Sequence, residues 1–400
     1  MADLLAGVRV LDLTNVLAGP YCTYLLAQLG ADVIKVEQPG RGDLARRLGA
    51  DPELNRQGLG ASFLAQNAGK RSLTLDLKTA EGRAILERLA SGADVLVENF
   101  RPGVMERLGL GPGRLRSLAP RLVWCSISGF GADGPLAASP AYDQIVQGLS
   151  GLMAITGDAS SAPLRVGFPV ADTIGGLTAA FAVVAALFRR ECTGVGETID
   201  VSMLEAVLSA MGWPVSNWLI AGKRPEPSGN ENPTAAPSGT FRTGAGLLNI
   251  AANEQSQFEA LCAVLGRPDL AADPRFSERE ARKSHRAVLK AELEATLARA
   301  DAASWARRLG EAGVPAGPVL SLEEALEQEQ IRARAAIRAV PAPAPLEGLL
   351  RLVRAGFRLA SGDPAPLGPP PRLGEHSDVI LAELGLRPEE IAELRTKGVV

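Results

Sequence analysis

Histidine, cysteine and phosphate-binding glycine motifs are scarce in this chain, and each shortage removes a class of chemistry. Two histidines, His285 and His376, stand in 400 residues. A His-rich metal site is therefore excluded, and an imidazole general base has only two candidates. The four cysteines, Cys22, Cys125, Cys192 and Cys262, lie far apart with no CxxC pair. They give no zinc or disulfide signature and suit a reducing, cytoplasmic setting. Basic residues are not in surplus: 42 Lys and Arg face 45 Asp and Glu, a net charge of −3. That balance argues against a nucleic-acid partner. No stretch approaches the roughly 18–20 uninterrupted apolar residues of a membrane span. The most apolar helix candidate, residues 173–188, contains Gly175 and Gly176 and stops at Arg189-Arg190. Met1-Ala2-Asp3 carries no basic region, and the short apolar stretch behind it is broken by Gly7 and Arg9. No secretory leader is expected.

What is present is ordinary globular composition, 46% hydrophobic and 22% charged, over a length that suits two domains or one with a large insertion. Residues 8–13 alternate apolar and polar after Gly7 and predict a strand. Gly19-Pro20 opens a helix that runs to Gly30, with proline in its first turn and glycine past its end. Residues 32–37, 72–76, 94–98 and 122–127 predict further strands. Between the second and third of these, Thr79 caps a helix with Glu81 in its first turn. This β-α rhythm predicts a doubly wound, mostly parallel sheet. A helix over 203–221 precedes the polar, proline-rich run 223–229, which reads as a domain boundary. The expected layout is a large α/β domain over 1–224 and a smaller domain over 225–330. The chain then returns to the large domain over 331–400. The smaller domain shows few strand signals and one long helical stretch, 284–309. Two C-terminal strands, 336–340 and 350–353, need a sheet to join, and two short helices close the chain.

A doubly wound sheet invites a nucleotide, but the phosphate motifs fail. No GxxxxGK[ST] occurs, and no GxGxxG follows the first strand. The one GxGxxG, Gly129 to Gly134, is followed by Pro135 and Pro140 where a dinucleotide fold needs a long helix. It reads as a loop. Asp172 is more informative, standing directly before the long apolar helix. It is either the helix N-cap or a nucleophilic carboxylate kept ionised by the helix N-terminus.

Several ordered motifs bear on that choice. They are Gly7-Val8-Arg9-Val10-Leu11-Asp12, Ala18-Gly19-Pro20-Tyr21-Cys22, and Leu29 through Glu37. Further on come Lys70 through Lys78, Val97-Glu98-Asn99-Phe100-Arg101-Pro102-Gly103, and Leu373-Gly374-Glu375-His376-Ser377-Asp378. In these the chain resembles the class III CoA-transferase family (the CaiB/BaiF group), whose relatives include the 2-methylacyl-CoA racemases. The resemblance runs from Leu5 to Val400. It implies an interlocked homodimer with an α/β large domain and a smaller α+β domain. It also implies an acyl-CoA and a carboxylic acid as substrates, with no permanently bound cofactor and no metal. It puts the catalytic aspartate at Asp172. The coenzyme A contacts fall on Val16, Leu17, Gln38, Leu75 through Lys78, Asn99, Phe100, Arg101, Arg107 and Tyr142. Lys78 and Arg107 are then partners for CoA phosphates, and Leu17 and Leu75 flank the adenine. Gln38 departs from members that carry Arg there, so that contact is either weaker or made by Arg41.

The chemistry implied is covalent catalysis by a carboxylate, through an aspartyl anhydride and an aspartyl thioester. The segment 234–239, with Ser238 and Gly239, is a candidate lid over the site or a plain linker. Glu254 stands near a supporting glutamate of the racemases, or is simply a solvated carboxylate at a helix start. The racemases use a His next to an Asp; here that motif reads Pro140-Ala141-Tyr142-Asp143. A phenol is a poor base at neutral pH, so transfer is expected over racemisation. A non-catalytic CoA-binding protein is the remaining alternative.

Overall fold

A computed structural model describes residues 3–400, which divide into two compact units. The first takes residues up to 152, 165–222 and 332–400; the second takes 153–164 and 223–331.

The first unit is built on six parallel strands in the order β3-β2-β1-β4-β5-β6. They are β1 (Arg9–Asp12), β2 (Asp32–Glu37), β3 (Arg71–Thr74), β4 (Val95–Glu98), β5 (Val123–Ser128) and β6 (Thr198–Ser202). Val10 pairs with Val33 on one side and Val95 on the other. Side chains alternate across the pleat, so Val10, Val33, Val95 and Val123 enter one core while Leu11, Ile34, Leu96 and Trp124 enter the other. Both faces are buried, as an all-parallel sheet requires. The α/β, doubly wound expectation holds. Sequence reading did not find β6, although Thr198, Ile199 and Val201 carry a β-branched signal.

Helix α1 (Ala18–Gln28) follows β1, and α2 (Ala80–Ser91) follows β3 with the Thr79 hydroxyl accepting from Gly82 N at 3.0 Å. Next come α3 (Asp143–Leu149) and α4 (Val170–Thr193). Helix α4 is longer than its sequence window. Among the described residues it alone is long and apolar enough to cross a membrane. Its buried face, which includes Ala179 and Val183, enters the same core as Cys22 and Leu26 of α1. Gly176 makes that approach possible, because a Cβ there would stand 2.4 Å from the Ala18 carbonyl oxygen.

The single helix expected over 203–221 is broken. Helix α5 (Met203–Ala210) ends before Gly212, which sits at φ +57°, and α6 (Trp213–Ala221) restarts with Pro214 in its first turn. In the second unit, β7 (Ser238–Arg242), β8 (Leu247–Ala251) and β9 (Ala316–Pro318) form a small antiparallel sheet. Helix α7 (Gln255–Leu265) packs on it through Phe258 and Leu261. The expected 284–309 helix is two, α8 (Arg286–Leu297) and α9 (Ala302–Glu311), separated where Asp301 caps the second by accepting from Ser304 N.

Back in the first unit, β10 (Ile337–Pro341) and β11 (Leu349–Val353) pair with each other as an antiparallel hairpin and not with the six-stranded sheet. The last helices, α10 (Ser377–Glu383) and α11 (Pro388–Thr396), cover the Leu11 face of the sheet through Ile380, Leu381, Ile391 and Leu394.

Candidate active site

Strands β1 and β4 are neighbours at the centre of the sheet, and the chain order reverses between them. In such sheets ligands bind beyond the carboxyl ends of the strands at that switch point. Two cavities of about 270 Å³ each lie there and share Asn15 and Phe100 in their walls. One is lined by Val16, Leu17, Asn99, Phe100, Arg101, Tyr142 and Asp172. The other is lined by Gln38, Leu75, Lys78 and Phe100. Asp172 and the expected coenzyme A contacts, Arg107 excepted, thus line these two adjoining cavities. Arg107 lines neither cavity and is exposed.

Asp172 is not the N-cap of α4. The cap position is Pro169, which has no side-chain acceptor, and Asp172 is the third helical residue. The capping oxygen comes from α3: Asp143 Oδ1 accepts from Ala171 N at 2.8 Å and, at 3.4 Å, from Asp172 N. Asp143 is buried, accepts from Gln147 Nε2 at 2.7 Å, and lies 3.9 Å from Arg165 Nε. The carboxylate of Asp172 is left with no hydrogen-bond or ion-pair partner among the described residues, facing the cavity. Burial, and then the negative charge of Asp143, push its pKa up to about 7. The helix N-terminus favours the anion, but burial outweighs it.

The amides opposite are also free. Asn15 N donates to Asn99 Oδ1 and Val16 N to Asp43 Oδ1. The next three N–H groups, of Leu17, Ala18 and Gly19, open α1 and have no acceptor among the described residues. Gly19 is obligatory, since a Cβ there would stand 2.3 Å from the Thr14 side chain. Asp172 lies one turn before Gly176, on the face that meets Ala18. Leu17, Ala18 and Asp172 line the same cavity.

Under this crevice sits a cluster of buried charge that sequence reading did not anticipate. Asp12 pairs with Lys70 at 2.9 Å and lies 3.9 Å from Lys35; Lys35 pairs with Asp43 at 3.0 Å. Burial alone would raise the Asp12 pKa, but the two ammonium groups hold it far below the usual carboxylate range. Burial pulls Lys70 down to about 8. Burial also opposes the charge on Lys35, yet Asp12 and Asp43 outweigh it and raise its pKa. Glu98, at the end of β4, is pushed up to about 7 by burial and accepts from Phe100 N at 2.8 Å.

Other sequence candidates fall elsewhere. Ser238 and Gly239 belong to β7, paired with Ala251 and Ile250, and Ala235 and Ala236 are buried. The segment is packed strand and approach to strand, not a free loop. Both residues line a cavity of about 670 Å³ within the second unit. Glu254 stands at the start of α7, its N–H donating to Gln257 Oε1 at 3.0 Å. No imidazole lines the Asp172 cavity; His376 Nδ1 instead accepts from Ser72 N. Among the described residues no group of His, Cys, Asp and Glu is arranged to hold a metal.

Together these features define an α/β protein with one isolated carboxylate beside free amides at the switch point of a parallel sheet. CoA-transferase family III matches residues 5–377, and the chain belongs to that family. It is 44% identical to the acetyl-CoA:oxalate CoA-transferase of Acetobacter aceti, over 82% of this chain and 84% of that one. It is 37% identical to the succinate–glutarate CoA-transferase of Agrobacterium fabrum, over 95% of each. A crystal structure of a CaiB/BaiF family protein from Brucella suis matches with a TM-score of 0.84 and 36% identity, over 95% of this chain and 99% of that one. The protein is an enzyme of the class III CoA-transferase family.

Proposed function

We propose that the protein moves coenzyme A from an acyl-CoA donor to a carboxylic acid, with Asp172 as the nucleophile. The observation that carries this reading is the unpaired Asp172 carboxylate in one cavity with Leu17 and Ala18, whose amides are free among the described residues. A carboxylate oxygen attacks the donor thioester carbonyl, forming a mixed anhydride and expelling CoA thiolate. The thiolate attacks the aspartyl carbonyl, releasing the donor acid and leaving an aspartyl–CoA thioester. The acceptor carboxylate attacks that carbonyl and expels the thiolate, which then attacks the acceptor acyl group and regenerates Asp172. Each attack puts negative charge on a carbonyl oxygen, and the amides of Leu17 and Ala18 in the same cavity are suited to receive it. The adenosine end of CoA is assigned to the cavity of Gln38, Leu75 and Lys78. Arg101 supplies a guanidinium for an anionic acyl group. The names of the relatives support short dicarboxylic acids as acceptors. A mass-spectrometric screen of acetyl-CoA and succinyl-CoA against a panel of carboxylic acids tests this. CoA exchange with at least one acid is the expected result.

Racemisation is disfavoured because Tyr142 holds the motif position where an imidazole is needed, and Asp143 is committed to capping α4. In heavy water a 2-methylacyl-CoA should acquire no deuterium at its α-carbon above background. Rapid Asp172-dependent incorporation would overturn the transferase reading.

The nucleophile must be ionised, so kcat/KM should fall as pH drops through about 7, where Asp172 gains its proton. Asp143→Asn keeps a capping oxygen but removes the like charge. The inflection should move to lower pH in that variant, and an unmoved profile would contradict the assignment.

A homodimer is also proposed. Leu177, Phe181, Val184 and Phe188 form an exposed apolar stripe along α4, with Phe181 76% and Phe188 75% accessible. Trp218, Leu219 and Ile220 of α6 are exposed as well. Apolar surface of this extent marks an interface. Light scattering at micromolar concentration should give twice the chain mass, and a single-chain mass would contradict it.

A further inference from the structure

The turn that links β1 to α1 is clamped at Thr14, Asn15 and Val16. Thr14 N donates to Asp12 Oδ1, and the Thr14 carbonyl accepts from Lys35 Nζ at 2.8 Å. Asn15 and Asn99 exchange two hydrogen bonds, each of 2.8 Å. Val16 N donates to Asp43 Oδ1 at 2.9 Å. Val16 also adopts φ +68°, in the left-handed region that a β-branched residue seldom enters without compensation. Such strain persists only where the surroundings enforce it. Immediately after Val16 come the three unpaired amides, and two of their residues, Leu17 and Ala18, line the cavity with Asp172.

We propose that Asp43, itself held by Lys35, is a positioning residue: it fixes Val16 in the left-handed conformation and so aims the amides that open α1 at the reacting carbonyl. Asp43 touches no substrate and acts through the backbone. Its carboxylate is fully buried, with Oδ1 shared between Val16 N and Ala45 N and Oδ2 paired with Lys35 Nζ. Its own N–H is tied to Glu37 Oε1 at 3.0 Å. The acceptor is therefore held by Glu37, Ala45 and Lys35 as well as by Val16. The Lys35 ammonium bridges the Thr14 carbonyl to Asp43, which joins both ends of the turn to one charge. A relaxed Val16 would rotate the next peptide planes and point the Leu17 and Ala18 amides away from the cavity. This inference rests on the Asp172 reading for its chemistry, but the strained turn is independent of it.

The test is a double-mutant cycle in the full-length protein. Glycine accepts positive φ freely, so Val16→Gly removes the need for a clamp. With succinyl-CoA and the acceptor found by the screen, Asp43→Ala should lower kcat at least about ten-fold while KM moves less than about three-fold. Val16 lines the cavity, so Val16→Gly sets its own baseline, and Asp43→Ala added to it should cost less than about three-fold beyond that baseline. The thermal midpoint should follow the same pattern, with Asp43→Ala lowering it less in the glycine background. Equal losses in both backgrounds, or a loss confined to KM, would overturn the proposal. Should Asp43→Ala fail to fold, Asp43→Asn replaces it. The amide oxygen still accepts from Val16, the charge toward Lys35 is gone, and the loss should be smaller yet still relieved by Val16→Gly. A wild-type-like Asp172→Asn variant would refute the nucleophile alone, because the midpoint cycle reads the clamp without reference to turnover.

Discussion

Asp172→Asn is expected to yield a folded protein that has lost at least about 10³-fold in transfer rate, or roughly 4 kcal/mol in the barrier. The amide cannot form the anhydride, and no second carboxylate shares the cavity lining with Asp172. Folding should survive because Asp143, and not Asp172, caps α4. Stability should in fact improve at alkaline pH. The folded pKa of Asp172 is raised to about 7, so between the ordinary carboxylate range and pH 7 the native state holds a proton that the unfolded chain has released. Stability contributed by that group is present at low pH and lost as pH rises through about 7. Asparagine removes this loss, and its thermal midpoint should exceed that of the wild type at pH 8. Near-normal turnover in the asparagine variant would return Asp172 to a structural role.

Asp12→Asn should destabilise the first unit by about 3–5 kcal/mol, the usual effect of breaking a buried ion pair. Lys70 is fully buried and Asp12 is its ion-pair partner at 2.9 Å; its other contacts, to Pro20 O, Thr23 and Asn67, are neutral. Removing the carboxylate strands that ammonium. Lys70→Met in the same background should restore much of the loss, because neither charge then needs a partner. Denaturant midpoints measure both. A loss below about 1 kcal/mol for Asp12→Asn would mean that water reaches this cluster, against its complete burial.

The sheet was legible because its strands are buried on both faces and read as apolar runs with turn signals between them. Most residues of the candidate site that line the two cavities were legible through the motifs of the family. Three features were not. Asp143 caps a helix 28 positions downstream, and local patterns cannot show a cap supplied from another helix. Lys35 and Lys70 stand beside apolar strand residues, and no local pattern shows that the fold turns them inward onto Asp12. Nothing in the identity of Val16 marks a positive φ; valine is among the residues least suited to it. The breaks at Gly212 and before Asp301 were visible as a glycine and a capping aspartate, but helical periodicity on both sides masked them. The edge strand β6 is half exposed, which weakened its apolar signal.

The central claim is that an acyl group passes through the side chain of Asp172. Hydroxylamine added during turnover attacks both an anhydride and a thioester, converting the carboxylate to a hydroxamate. Peptide mass spectrometry should then find Asp172 modified only when an acyl-CoA donor is present, with Asp143 and Glu98 untouched. An enzyme that turns over under these conditions with Asp172 unmodified would contradict the account.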